Sequence, residues 1–97
     1  MKNYSSNKPC ICCGIIGSDI VCYHHIYSKK AFPQYKTEKW NLLSCCLKHH
    51  NQIHNSGLVK ISDNFPNVKK WLINNEWYRC EISGKWVHKL EYNNGRV

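Results

Sequence analysis

The chain has 97 residues, with 14 Lys and Arg against 6 Asp and Glu, a net charge of +8, 7 Cys and 6 His. Its 42% hydrophobic content is that of a globular protein, and no apolar run exceeds four residues, which excludes a helical membrane span. A chain this short buries a small core, so a metal or disulfide staple is expected.

Residues 1–9 are polar and read as a loose tail. They offer no apolar stretch able to act as a secretory signal, so a cytoplasmic, reducing compartment is expected. The cysteines are then expected as thiols and metal ligands, and an odd number of them cannot pair completely within one chain. Cys10-x2-Cys13, followed by Gly14, forms a tight turn in which two sulfurs converge. Asp19 to Ile26, rich in Ile, Val and Tyr, is predicted as a short strand. From Tyr27 to Lys39 the pattern is lost, and with Pro33 and four lysines the segment reads as a basic loop. Trp40 to Cys45 is predicted as a second strand, and Leu47 to Asn55 as a helix stopped by Gly57. Leu58 to Ile61 reads as extended. Pro66 suits the first turn of a further helix on which Val68, Trp71 and Leu72 share a face. Trp77 to Ile82 and Lys85 to Leu90 flank Ser83-Gly84, a two-residue hairpin signal. The expected class is α+β: a tail at 1–9, a core at 10–57, and a helix and hairpin extension at 58–97 packed on that core.

Two ligand pairs stand out. Cys10-x2-Cys13 and Cys46-x2-His49 are separated by 32 intervening residues, and each has the spacing at which a turn or helix start aims two soft donors at one ion. Zinc takes four such sulfur and nitrogen ligands tetrahedrally, and a closed set of this kind is structural. In small zinc-folded peptides such an ion contributes about 10–16 kcal/mol, more than the whole stability of many domains. Cys12 and Cys45 adjoin this set and leave the assignment open by one position at each pair. Cys22 and Cys80 have no spaced partner and read as core thiols.

The histidines form a second constellation. His24 and His25 end the first predicted strand, where successive side chains point to opposite faces. His50 and His54 are four apart on the predicted helix and are neighbours on one face. On a 3.6-residue repeat Cys46, His49 and Ile53 make one stripe, and Leu47, His50 and His54 make the next, about 100° round. One helix can therefore serve two metals: a zinc staple under one stripe, and under the other a more open ion held by His50, His54 and His24. Three protein ligands leave coordination positions for water or phosphate, as catalytic sites require. His88 reads as a surface polar residue or a hydrogen-bonded core group.

His24-His25-Ile26, Trp40-Asn41-Leu42 and the run from Cys46 to His54 together resemble the HNH endonucleases, the ββα-metal family. The match covers residues 10 to 57. Zinc-stapled phage members look closest, while the histidine-rich ion set looks like that of the nuclease colicins. The resemblance implies a DNA phosphodiesterase in which His25 is the general base, Asn41 fixes the loop and the orientation of His25, and His24, His50 and His54 hold the catalytic ion. It also implies 5′-phosphate and 3′-hydroxyl products. Position 24 is His where many members have Asp, and position 49 is His where zinc-bearing members usually have Cys. Magnesium or manganese is the family's habit, whereas three imidazoles favour zinc or nickel by ligand type.

The positive balance points to a polyanionic partner, nucleic acid ahead of a membrane surface because no basic amphipathic helix or lipidation motif occurs, and the resemblance implies that this is DNA, double-stranded. Lys29, Lys30, Lys36 and Lys39 form a candidate phosphate track, which Lys69, Lys70, Arg79, Lys85 and Lys89 could extend. Trp71, Trp77 and Trp86 read as core aromatics rather than base-stacking groups. No dedicated sequence-reading module is present. Cleavage of both strands by one small site would be easier for a homodimer. The main alternative is a non-catalytic zinc module that only binds nucleic acid. A third is a toxin-type nuclease neutralised by an acidic partner.

Overall fold

A computed structural model describes residues 6–17 and 19–93, the side chains of 92 and 93 excepted. It is a small mixed α+β structure with two two-stranded antiparallel sheets and four helices among those residues. Residues up to Gln52 form one compact unit and those from Ile53 a second.

In the first unit, β1 (Val21–His25) pairs with β2 (Leu42–Cys46) in a register that sets Cys22 opposite Cys45 and His24 opposite Leu43. Helix α1 (Leu47–Ser56) follows β2 without a linker, so β2 fixes the direction in which the helix leaves the sheet. Val21, Leu43 and Cys45 are fully buried and form the core of this small layer. The segment read as a loose tail is docked where it is described. Ser6 is buried, its N–H bonds Val21 O at 3.0 Å and its hydroxyl lies 2.8 Å from that of Ser44. A short polar side chain can satisfy a neighbouring hydroxyl as well as water, which composition alone does not show. Residues 1–5 lie outside the described residues.

The connection between the strands is more ordered than a basic loop. Pro33–Tyr35 and Lys39–Asn41 are 3-10 turns, so Trp40 and Asn41 precede the strand instead of opening it. Tyr27, Phe32, Tyr35 and Trp40 pack ring to ring, with centroids 4.6–6.3 Å apart. Offset and edge-on aromatic pairs at such distances each stabilise by about 0.5–1.5 kcal/mol beyond area burial, giving the loop a core of its own. The lysines stand outside it, exposed to solvent.

The division between the units falls inside α1. Beyond the end of that helix, Leu58–Asn64 is α2 and not an extended segment. Its β-branched residues suggest a strand, but Leu58, Ile61, Ser62 and Phe65 recur at helical spacing, with Ile61 and Ser62 buried. Packing of that face against the next helix outweighs a weak local preference. Pro66 opens α3 (Pro66–Asn74), whose Val68 and Leu72 are fully buried while Trp71 is half-buried. The helix packs on α2 and on β3 (Trp77–Arg79). Each fully buried aliphatic side chain there contributes about 1.5–3 kcal/mol.

The C-terminal hairpin is shorter than the sequence suggests. β3 pairs with β4 (Trp86–His88), and α4 (Lys89–Asn93) takes in Leu90. Residues 80–85 form a wide turn rather than a two-residue one. A tight turn with serine first would force positive φ on a residue with a Cβ, and the chain instead makes a helical turn closed at Gly84. Trp77 is buried, and the Trp86 indole donates to Ser62 Oγ at 2.9 Å. His88 is a hydrogen-bonded core group: Nδ1 accepts from the Leu90 N–H, so Nε2 carries the proton it donates to Asn75 O. No helix among the described residues is long and apolar enough to cross a membrane.

Candidate metal centres on one helix

The first centre begins at the Cys10 turn. Gly14 N–H bonds Cys10 O at 2.8 Å and Cys10 N–H bonds Ile15 O at 2.9 Å, with Gly14 at φ 78, where a Cβ would be strained. Ile11 N–H bonds Ser44 O at 2.9 Å, which hangs this turn on β2 beside the start of α1. The β2–α1 junction supplies the other pair, Cys46 from the last strand position and His49 from the first helical turn.

Cys10, Cys13, Cys46 and His49 bring one ligand atom each to within 4.8 Å of one another. His49 Nδ1 is 3.2 Å from Cys46 Sγ and 3.6 Å from Cys10 Sγ, and Cys13 Sγ is 3.9 Å from Cys46 Sγ. A tetrahedron with zinc–sulfur bonds near 2.3 Å has sulfur edges of about 3.8 Å, so these are the edges such an ion would span. The cluster could hold a structural ion such as zinc. The electrostatics of Cys10 and His49 suit that use. Burial raises the Cys10 thiol, but N–H groups of Cys46, Cys13 and Cys12 and the Cys13 thiol outweigh it and hold the group below its ordinary value. Burial, helped by the Lys48 charge, lowers His49 and keeps its imidazole neutral, the form that ligates.

Cys13 is shifted the other way: the Ile15 N–H lowers its thiol, but desolvation and the Cys10 and Cys46 thiols outweigh that and raise it. Burial pushes Cys12 up to about 12, with the charge of Cys10 adding to it, and burial likewise raises Cys45. The one-position ambiguity at each pair is resolved by geometry, because the gathered ligand atoms are those of Cys10, Cys13, Cys46 and His49 and not those of Cys12 or Cys45. The seven cysteines form no disulfide with one another.

The same turn occurs again at residues 80–85. Gly84 N–H bonds Cys80 O at 2.7 Å, Cys80 N–H bonds Lys85 O at 2.8 Å, and Gly84 has φ 72. Ser83 stands where Cys13 stands in the first turn. Cys80 is therefore a turn residue and not the core thiol expected. Hydrogen bonds from the Ser83 hydroxyl, and from the N–H groups of Ser83 and Ile82, lower its thiol.

The second centre faces the other stripe of α1. Cys46, His49 and Ile53 are buried, whereas Leu47 and His54 are exposed and His50 is half-buried. His24, His50 and His54 bring one ligand atom each to within 4.8 Å of one another. The His24 and His50 rings meet edge-on with centroids 5.0 Å apart. His54 lies one turn after His50 on the same continuous helix, so the cluster is a property of β1 and α1 alone. Cys22, two residues before His24 on the same strand face, places its sulfur 3.7 Å from His50 Nδ1. It too is not a core thiol. The period-two alternation of the strand could have shown it beside His24.

His25 is not among the three clustered histidines, and its Nε2 lies 3.0 Å from Lys36 O. A carbonyl only accepts, so the proton is on Nε2 and the lone pair on Nδ1. Asn41 is fully buried. Its Oδ1 accepts the Tyr27 N–H at 2.6 Å, and its Nδ2 donates to Tyr27 O at 3.0 Å and Tyr35 O at 3.1 Å. One amide thus clamps both ends of the aromatic loop, and the residue after Tyr35 presents the carbonyl that orients His25. Sequence reasoning could not supply the Tyr27, Tyr35 and Lys36 carbonyls, because backbone groups leave no trace in residue identity.

Lys29, Lys30, Lys36 and Lys39 are exposed on that loop. In the second unit Lys69 and Arg79 share Asp63, each at 3.5 Å, and Lys89 pairs with Glu76 at 3.0 Å, which reduces the charge they offer to a polyanion. No family model, curated protein or solved structure matches the chain.

Proposed function

We propose that β1, β2 and α1 form a ββα-metal unit of HNH type and that the protein is a metal-dependent endonuclease hydrolysing DNA phosphodiester bonds. The observation that carries this reading is the pairing of an open three-imidazole cluster with a fourth histidine, adjacent in sequence, that is held by a carbonyl in a single tautomer. A zinc-binding scaffold alone would need neither.

In this reading His24, His50 and His54 would hold one divalent ion, which supplies Lewis-acid stabilisation of the charge that grows on the phosphate and on the departing 3′-oxygen. His25 Nδ1 takes the proton of the attacking water. An imidazole is suited to this near neutral pH because its ordinary pKa of about 6.5 lets it accept and release protons there. Asn41 acts at one remove, through the loop that presents Lys36 O. The exposed lysines of the same loop would neutralise backbone phosphates, giving affinity with little sequence preference. Cys10, Cys13, Cys46 and His49 would hold the zinc that keeps α1 seated on the strands.

The test is plasmid nicking by the zinc-loaded protein with magnesium, manganese, nickel or zinc, comparing wild type with His25→Ala and His54→Ala. Nicking that requires both histidines sustains the reading. DNA binding by all three proteins, with cleavage by none on any duplex, branched or mismatched substrate, returns the protein to the class of non-catalytic nucleic-acid-binding zinc modules.

A further inference from the structure

We infer that Cys22 is a positioning residue for the open histidine centre, setting the tautomer of His50 so that Nε2 faces the ion. The inference rests on the reading of His24, His50 and His54 as an ion site. An imidazole that gives one nitrogen to a metal must carry its proton on the other, and the partner of that second N–H fixes both the ring's rotation and which nitrogen ligates. Carboxylates, carbonyls and water usually fill this place. Here the atom beside His50 Nδ1 is Cys22 Sγ, at 3.7 Å, within the reach of an N–H···S hydrogen bond.

The placement is built into the fold. Cys22 and His24 are two apart on β1 and share a face, so the strand that delivers one ligand also delivers the support for another. Cys22 sits opposite Cys45, which is fully buried, and this fixes the backbone from which the sulfur projects. His50 approaches from α1, with its ring edge-on to His24. Cys22 is not one of the residues whose ligand atoms gather around the candidate ion position, so its role is to hold His50 rather than to bind the ion. A neutral thiol is a weaker acceptor than a carboxylate.

The experiment uses the full chain with zinc in the cysteine site. Imidazole 15N shifts report the His50 tautomer directly, and Co2+ titration reports affinity at the open site. Wild type is expected to show His50 protonated at Nδ1. Cys22→Ala is expected to scramble the tautomer and weaken Co2+ binding roughly 10- to 100-fold, the usual effect of losing such a support. Cys22→Ser, whose oxygen can accept the same N–H, is expected to recover most of both. Unchanged zinc content and near-ultraviolet dichroism identify variants that remain folded. Co2+ binding that depends on His54 but is the same in wild type and Cys22→Ala overturns the role of Cys22 while leaving the ion site standing. Wild type that takes up no Co2+ dependent on His24, His50 and His54 removes the ion site, and this inference with it. The 15N shifts still decide the hydrogen bond if the alanine variant unfolds: a His50 protonated at Nε2 in wild type overturns it.

Discussion

Two adjacent stripes at one helix gather two different kinds of ligand cluster. Cys46, just before the helix, and His49 on it are buried and join buried Cys10 and exposed Cys13 from a preceding turn, so all four donors come from the protein. The stripe of His50 and His54 is half-buried to exposed, meets a single strand histidine, and leaves room for other ligands. Rotation by one residue along a helix moves a side chain about 100°, and that step is the whole structural difference between a site that could staple a fold and one that could meet a substrate. The lesson is that burial and donor count, not residue type, separate the two roles, because histidine serves in both.

The contrast can be broken most completely from the buried side. Stripping the ion with a strong chelator, or making Cys46→Ala, should unfold the first unit, since an ion of this kind can contribute about 10–16 kcal/mol against a total stability of about 5–15. Loss of near-ultraviolet dichroism with release of one zinc per chain is the readout, and a chain that keeps its dichroism without zinc would make the staple dispensable. His25→Ala strikes the open side alone. On the proposed endonuclease reading, cleavage should fall by about 10²- to 10⁴-fold while zinc content and thermal midpoint stay at the wild-type values.

Asn41→Ala sharpens the comparison because it touches neither stripe. It removes three hydrogen bonds from a fully buried position, and each backbone group left unsatisfied costs about 1–3 kcal/mol. Denaturant unfolding should register that loss, and on the proposed endonuclease reading cleavage should fall with it as Lys36 O shifts away from His25. Acidification separates the stripes by chemistry. His49 is held below its ordinary value of 6.5, so the folded state disfavours its protonation. Its contribution is present above that value and is lost as the pH falls below it. Zinc release followed by a metallochromic dye should therefore rise on acidification below about 6.5 and be reversed at neutral pH. The smallest effect is expected on the loop: each of Lys29→Gln, Lys30→Gln, Lys36→Gln and Lys39→Gln should reduce the slope of log affinity against log salt by about 1, if that lysine meets a phosphate.

Much of this was legible in the sequence where spacing carries the information. The pairs Cys10-x2-Cys13 and Cys46-x2-His49, the i, i+4 step from His50 to His54, and Pro66 at a helix start all follow from fixed repeats of turn and helix. What stayed hidden depends on tertiary contact. Leu58–Asn64 looks extended until α3 is there to receive Ile61 and Ser62. Ser6 looks like tail until Ser44 is beside it. The loop from Tyr27 to Asn41 invited attention to its lysines, yet its order comes from four aromatic rings and one buried amide. Cys22 had no partner at a recognisable sequence interval because its partner, His50, lies on another element.

The turn at residues 80–85 has a consequence for how the protein is made. It closes with the same two backbone hydrogen bonds and the same left-handed glycine as the Cys10 turn, although a serine stands at the second ligand position. The shape is thus dictated by main chain and glycine before any ion is involved. A newly synthesised chain would present Cys10 and Cys13 already poised, so that metal capture would wait only on the arrival of Cys46 and His49, more than thirty residues later in translation.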